Sequence, residues 1–132
     1  MNKNIYQLTY RSKAIEDLHQ EQIMEIVDEA IAFNKRSDIT GCLLFDQGYF
    51  VQILEGDKSV VDPLYLRIRK DPRHYQIDIL SKGWASQRIF KAWNMGFVHM
   101  DGLDIGKRHE MVGMARAALH NISVKNDFTP KV

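Results

Sequence analysis

A chain of 132 residues, 45% of them hydrophobic, makes one ordinary domain with enough apolar side chains for a sizeable core. Its 18 Lys and Arg nearly balance its 17 Asp and Glu, and with no basic run and no acidic tail that argues against a nucleic-acid surface. The single cysteine, Cys42, excludes an internal disulfide and a cysteine metal cluster. No signal-peptide pattern and no apolar run long enough to cross a membrane occur, so a soluble cytoplasmic domain is expected.

Residues 4–11, NIYQLTYR, alternate in polarity. Tyr6, Leu8 and Tyr10 share one face, and Gln7, Thr9 and Arg11 the other, which predicts a half-buried strand. A helix is predicted from about Leu18 to Asn34, with Ile23, Ile26, Val27, Ala30 and Ile31 as its apolar stripe. SDITG turns the chain into a strand over 39–46. DQGY reads as a hairpin turn with Gly48 at positive φ, and a strand over 49–55 returns. A second helix is expected over Ser59–Lys70. Its start is open between Ser59 as cap of a capping box and Asp62 as cap with Pro63 first in the helix. A turn at DPRH leads to a strand over Tyr75–Lys82. A short strand is expected at 93–98, a helix over Ile105–His120 and a loose tail over 127–132.

The order β-α-β-β-α-β is that of an α+β, ferredoxin-like sheet with both helices on one face, here with a fifth strand and a C-terminal helical extension. The second sheet face is mixed in polarity, so the C-terminal helix or another subunit is expected to cover part of it. The expected division is 1–100 for the domain and 101–132 for the extension and tail.

Three polar residues fall where a core should be. Tyr10 ends the inward face of the first strand, Gln52 sits between Phe50 and Leu54 on the inward face of the third, and Asn34 extends the apolar stripe of the first helix. Each has a plain structural reading: an edge hydroxyl, a helix-ending Asn, an amide on neighbouring backbone. Together they describe a slot between the helices. A flat heteroaromatic ligand would lie there, against Ile26 and Ile68, with its polar edge at Asn34 and Gln52. Arg67, beside the stripe of the second helix, would reach a phosphate or ribose, or else be a solvated surface arginine. Neither common nucleotide loop is present, and the histidines are too scattered for a metal or Ser–His–Asp site. Glu55 is the best acid candidate, but it lacks a paired carboxylate.

The motifs YRS, FN at the end of the first helix, DITGCLLF, GYFVQILEG, DPRHY and WNMGF, in this order, resemble those of the BLUF domains, flavin-based blue-light sensors. The resemblance runs from about Ile5 to His99. The spacing of 42 residues from Tyr10 to Gln52 also matches. It implies FAD held without a covalent bond, with FMN or riboflavin as alternative occupants. Tyr10 takes the place of the photoactive tyrosine, Gln52 of the switching glutamine and Asn34 of the flavin-contacting asparagine. Arg67 stands at the ribityl or phosphate side, Asp71, Arg73 and His74 in the Asp–Arg–His region, and Trp93 and Met95 at the signalling positions of the fifth strand. Phe33 departs from the asparagine pair common at the end of helix one.

The resemblance further implies that light draws an electron and a proton from Tyr10 by way of the Gln52 amide. Gln52 is left rotated or tautomerised, donating to the flavin C4=O and shifting absorption to the red. Output is expected through a separate downstream signalling protein, from a non-enzymatic homo-oligomer with no direct nucleic-acid or membrane partner. A small ferredoxin-like oligomeric enzyme and a non-photoactive interaction module are the rival readings.

Overall fold

A computed structural model describes residues 4–92 and 94–99. Its elements are β1 (Ile5–Ala14), α1 (Gln20–Ser37), β2 (Thr40–Asp46), β3 (Tyr49–Gly56), α2 (Lys58–Arg69), β4 (His74–Ala85) and β5 (Gly96–His99). The sheet runs β4-β1-β3-β2-β5; the first four strands are antiparallel, and β5 lies parallel to β2. This is the expected ferredoxin-like order with a fifth strand on the β2 edge. The predicted helix over 105–120, the tail and Trp93 lie outside the described residues.

Local chemistry sets the element ends. At the start of α1 the His19 backbone N–H donates to Gln22 Oε1 (2.8 Å). The helix runs three residues past Asn34, and Asp38 closes it in the left-handed region at φ 55°, its N–H donating to the Asn34 carbonyl. Asn34 is therefore not the helix terminator. The hairpin has Gln47 at φ 49° and Gly48 at φ 83°, as a two-residue primed turn requires. Neither expected cap begins α2. Asp57, directly after β3, accepts from the Ser59 N–H (2.9 Å), and Pro63 sits inside the helix.

Between sheet and helices, Tyr6, Leu8, Leu43, Phe50 and Leu54 meet Ile23 and Val27 of α1 and Val61, Leu64 and Tyr65 of α2. A smaller core lies on the outer face, where Cys42, Leu44, Val51 and Ile53 are buried with Phe90. Part of that face is thus covered by the connection between β4 and β5, which brings Ile89 and Phe90 back across the sheet. Cys42 is buried as expected, and burial pushes its thiol pKa up to about 12.

Candidate functional site

A cleft opens between α1 and α2, with β1, β2 and β3 as its floor and the turn after α2 at its mouth. Its cavity volume is about 180 Å³. Tyr10, Gln52, Asn34, Ile26, Ile68, Arg67, Asp71, Arg73 and His74 all line it. Sequence reasoning placed these together from period and face alone for the first five. It did not find Glu29, Ala30, Leu43 or Leu64, which also line the cleft and carry no signal beyond helix or strand periodicity.

The floor is built by register. Tyr10 stands directly opposite Gln52 across the β1–β3 ladder, so both side chains rise on the same face. The Tyr10 hydroxyl donates to Gln52 Oε1. The other end of the amide, Nε2, faces Met95 Sδ at 3.5 Å. Tyr10 is 3% and Gln52 4% exposed, and Met95 is buried with the inner core. Met95 precedes β5 by one residue instead of lying within it. Burial, then the nearby Tyr65 and Asp71, hold the Tyr10 pKa well above its ordinary value, so the phenol stays protonated at neutral pH.

Asn34, 1% exposed, donates from Nδ2 to the backbone carbonyl of Asn94 (2.9 Å), and Asn94 Nδ2 donates to the Ile39 carbonyl (3.1 Å). An amide nitrogen carries two N–H groups, so this bond uses one of the two on Asn34. At the mouth, the Arg67 guanidinium stacks over the Phe33 ring at 4.8 Å. Arg67 is thus exposed but not simply solvated, and the Phe33 departure supplies its platform. Arg73 bridges Asp71 (Nε to Oδ1, 2.9 Å) and Glu29 of α1 (Nη2 to Oε1, 2.9 Å). The hydrogen bond from Arg73 chiefly holds the Asp71 carboxyl below its usual range, against the effect of its burial. His74 Nε2 lies 2.7 Å from the Ile68 carbonyl and Nδ1 2.7 Å from Ser12 Oγ. A carbonyl only accepts, so Nε2 carries a proton and donates to Ile68.

The family model described as sensors of blue light using FAD matches residues 5–96. The chain belongs to the BLUF family. The dark-state structure of BlrB, a BLUF protein, superposes with a TM-score of 0.73 at 28% identity, over 93% of this chain and 88% of that one. A bacterial light-regulated adenylyl cyclase gives a TM-score of 0.76 at 32% identity, over 86% of this chain and 34% of that one. The blue light- and temperature-regulated antirepressor BluF of Escherichia coli K12 is 42% identical over 83 residues, 63% of this chain and 21% of the relative. A photoactivated adenylate cyclase beta subunit of Euglena gracilis is 38% identical over 89 residues, 67% of this chain and 10% of the relative. The chain spans about a fifth or less of the length of these curated relatives.

The cleft of this BLUF chain fits the isoalloxazine ring of a flavin. Its walls are apolar at Ile26, Leu64 and Ile68, and two buried amides, Asn34 and Gln52, stand at its inner end. That pairing of apolar walls with few fixed polar groups suits a flat, hydrogen-bonding heterocycle.

Proposed function

We propose that this chain is a flavin-binding blue-light photoreceptor whose switch is the Tyr10–Gln52 pair, with Asn34 as the main polar anchor of the ring. The observation that carries this reading is the buried hydrogen bond from the Tyr10 hydroxyl to Gln52 Oε1 at the floor of the cleft. Bound flavin supplies the light absorption, a strongly oxidising excited state, and an absorption band that responds to hydrogen bonds at its edge.

The residues supply the rest. Tyr10 is neutral and buried, with its proton already directed at Gln52 Oε1, so electron loss from the ring has a proton acceptor in place. Gln52 has two orientations of unequal stability. A phenol both donates and accepts, so Tyr10 pairs with either end of the amide. A thioether only accepts, so the Met95 Sδ contact exists with Nε2 toward it and is lost when Oε1 turns there. Rotation therefore breaks a weak bond while keeping a strong one. Partner changes of this kind are worth about 1–3 kcal/mol in a buried site. That suffices to shift a two-state equilibrium about 5- to 150-fold. Met95 then reports the orientation of Gln52 to the segment that carries it. Trp93 is proposed to act beside it.

The chain is read as non-enzymatic. Glu55, the acid singled out in the sequence, is wholly buried and accepts four hydrogen bonds within the fold, which leaves it without access to a substrate. The curated relatives named above are a cyclase subunit and an antirepressor, so output through a separate cytoplasmic signalling partner is proposed here by analogy, with the chain divided at about residue 100 and assembled as a homo-oligomer. Absorption spectra of the FAD-loaded protein before and after blue light test the core of the proposal. A reversible red shift is expected. A protein that takes up no FAD, or takes it up and shows no shift, overturns it.

A further inference from the structure

Glu55 lies three residues after Gln52 and on the opposite face of β3. It is 0% exposed. Its Oε2 accepts from Gln7 Nε2 (2.6 Å) and the Ile89 N–H (2.7 Å), and its Oε1 from Thr40 Oγ1 (3.0 Å) and the Phe90 N–H (2.9 Å). A carboxylate offers about four lone-pair sites, so these donors fill it. Two of the four belong to the connection between β4 and β5. Arg88 in the same connection donates to Thr40 Oγ1, to the Glu55 carbonyl and to the Asp38 carbonyl. The far end of this connection meets two of the cleft's residues: the Asn94 carbonyl accepts from Asn34 and Met95 Sδ from Gln52. One short strap therefore holds β3 from both faces, with Glu55 on one side and Gln52 on the other.

We propose that Glu55 is a positioning residue for the switch: by fixing the Ile89 and Phe90 amides on the outer face, it sets where Asn94 and Met95 stand against Asn34 and Gln52. The proposal rests on the reading of Gln52 as the light-driven switch. A carboxylate accepts from all four neighbours at once, and the Ile89 and Phe90 N–H groups, one on each oxygen, can only donate. In Glu55→Gln the amide NH₂ would confront one of these two N–H groups in either orientation, and one oxygen would remain to accept from the other. The strap would then leave the sheet more readily, and the Met95 contact that selects the dark orientation of Gln52 would weaken.

Hydrogen exchange of the full, FAD-loaded chain, in darkness, reads the strap directly. Hydrogen bonds to a charged acceptor are strong, so exchange at Ile89 and Phe90 in Glu55→Gln is expected to quicken on the order of tenfold or more. A second readout separates positioning from mere support. After a light pulse, return of the red-shifted band in Glu55→Gln should slow on the order of tenfold, because the Met95 contact must re-form on a loosened strap. Should Glu55→Gln fail to fold, Gln7→Met removes one side-chain donor to the carboxylate and is expected to move both readouts the same way by less. Dark exchange at 89 and 90 that matches the wild type overturns the anchoring. Faster exchange with an unchanged return rate overturns the positioning role. A wild type with no red shift defeats the photoreceptor reading instead, and is told apart because strap exchange is measured without light.

Discussion

Replacing Gln52 by leucine tests the floor of the site twice, once by stability and once by light. Leucine fits between Phe50 and Leu54 in volume, but it removes both bonds of the amide. The hydroxyl of Tyr10, a residue 3% exposed, is then buried without its partner, a penalty of about 1–3 kcal/mol. Tyr10→Phe leaves Gln52 Oε1 in the same position and carries a similar penalty. The double variant removes donor and acceptor together and should lie within about 1 kcal/mol of the wild type, since paired apolar replacement is nearly neutral. The three variants therefore form a cycle with a coupling of roughly 3 kcal/mol, measurable by urea unfolding of the flavin-free proteins, in which each single variant shifts the midpoint by about 1 M. Additive single effects would show that the Tyr10–Gln52 bond is not made in solution. The flavin-loaded Gln52→Leu protein should also lose the red-shifted state while keeping its flavin, because leucine neither relays a proton nor donates one. A wild-type-like red shift in that variant would mean that another residue makes the new bond, and the switch assigned here would have to be abandoned.

Tyr10→Phe should likewise keep its flavin and lose the normal photocycle, as read by difference spectroscopy; a normal cycle would remove Tyr10 as the electron donor. The same phenol governs alkaline stability. Its folded pKa is raised above the ordinary 10.0, so its contribution is complete below about pH 10 and is lost above that by about 1.4 kcal/mol per pH unit. Urea unfolding of the flavin-free protein between pH 9 and 11 should show this slope reduced in Tyr10→Phe, and equal slopes would contradict its buried, neutral state (the pH limits are about one unit either side of the reference value). Asn34→Ala should weaken flavin affinity about 5- to 150-fold, from a buried partner worth about 1–3 kcal/mol; an unchanged Kd on titration with FAD would leave Asn34 only its bond to Asn94. Gly41→Ala would place a Cβ 1.9 Å from the Ile53 carbonyl oxygen, a backbone clash that should destabilise by about 3 kcal/mol or more, checked by urea unfolding; a near-wild-type midpoint would refute the close approach.

Elements with strong periodicity were legible. β1, α1, β2 and β3 carry clear alternation or a helical stripe, and their faces put Tyr10, Gln52 and Asn34 in one cleft. Caps were less legible because several residues compete for one role. Asp57, Ser59 and Asp62 all suit the start of α2, and the choice of Asp57 depends on where β3 ends. The connection after β4 was not legible at all. SQRIFKAWN has no period, and its order comes from partners far away in sequence: Glu55, Thr40, Asp38 and Asn34. Covering of the outer face was expected from a helix or a subunit, and a stretch without regular structure supplies part of it. Glu55 stood out as a charged residue after an apolar strand, but nothing local could reveal that two of its donors are backbone amides more than thirty residues away.

The mouth of the cleft bears on how a flavin is gripped. Both arginines there are already engaged, Arg67 by the Phe33 ring of α1 and Arg73 by Glu29 of α1 and by Asp71 after α2. A phosphate tail would have to share or displace these contacts, and its gain would be offset by what they lose. Arg73 has the more to lose, since Asp71 and Glu29 both neutralise it, whereas an aromatic face leaves the Arg67 charge formally unpaired. A phosphate is therefore better met by Arg67 than by Arg73, with Phe33 still holding the guanidinium plane. Among the described residues, Asn34 Nδ2 and Gln52 Nε2 each make one hydrogen bond, which leaves each a second N–H. On the proposed reading, selectivity among FAD, FMN and riboflavin would fall to one exposed, screened arginine, while the shared ring would meet the buried walls and amides. The ring, not the tail, should dominate affinity.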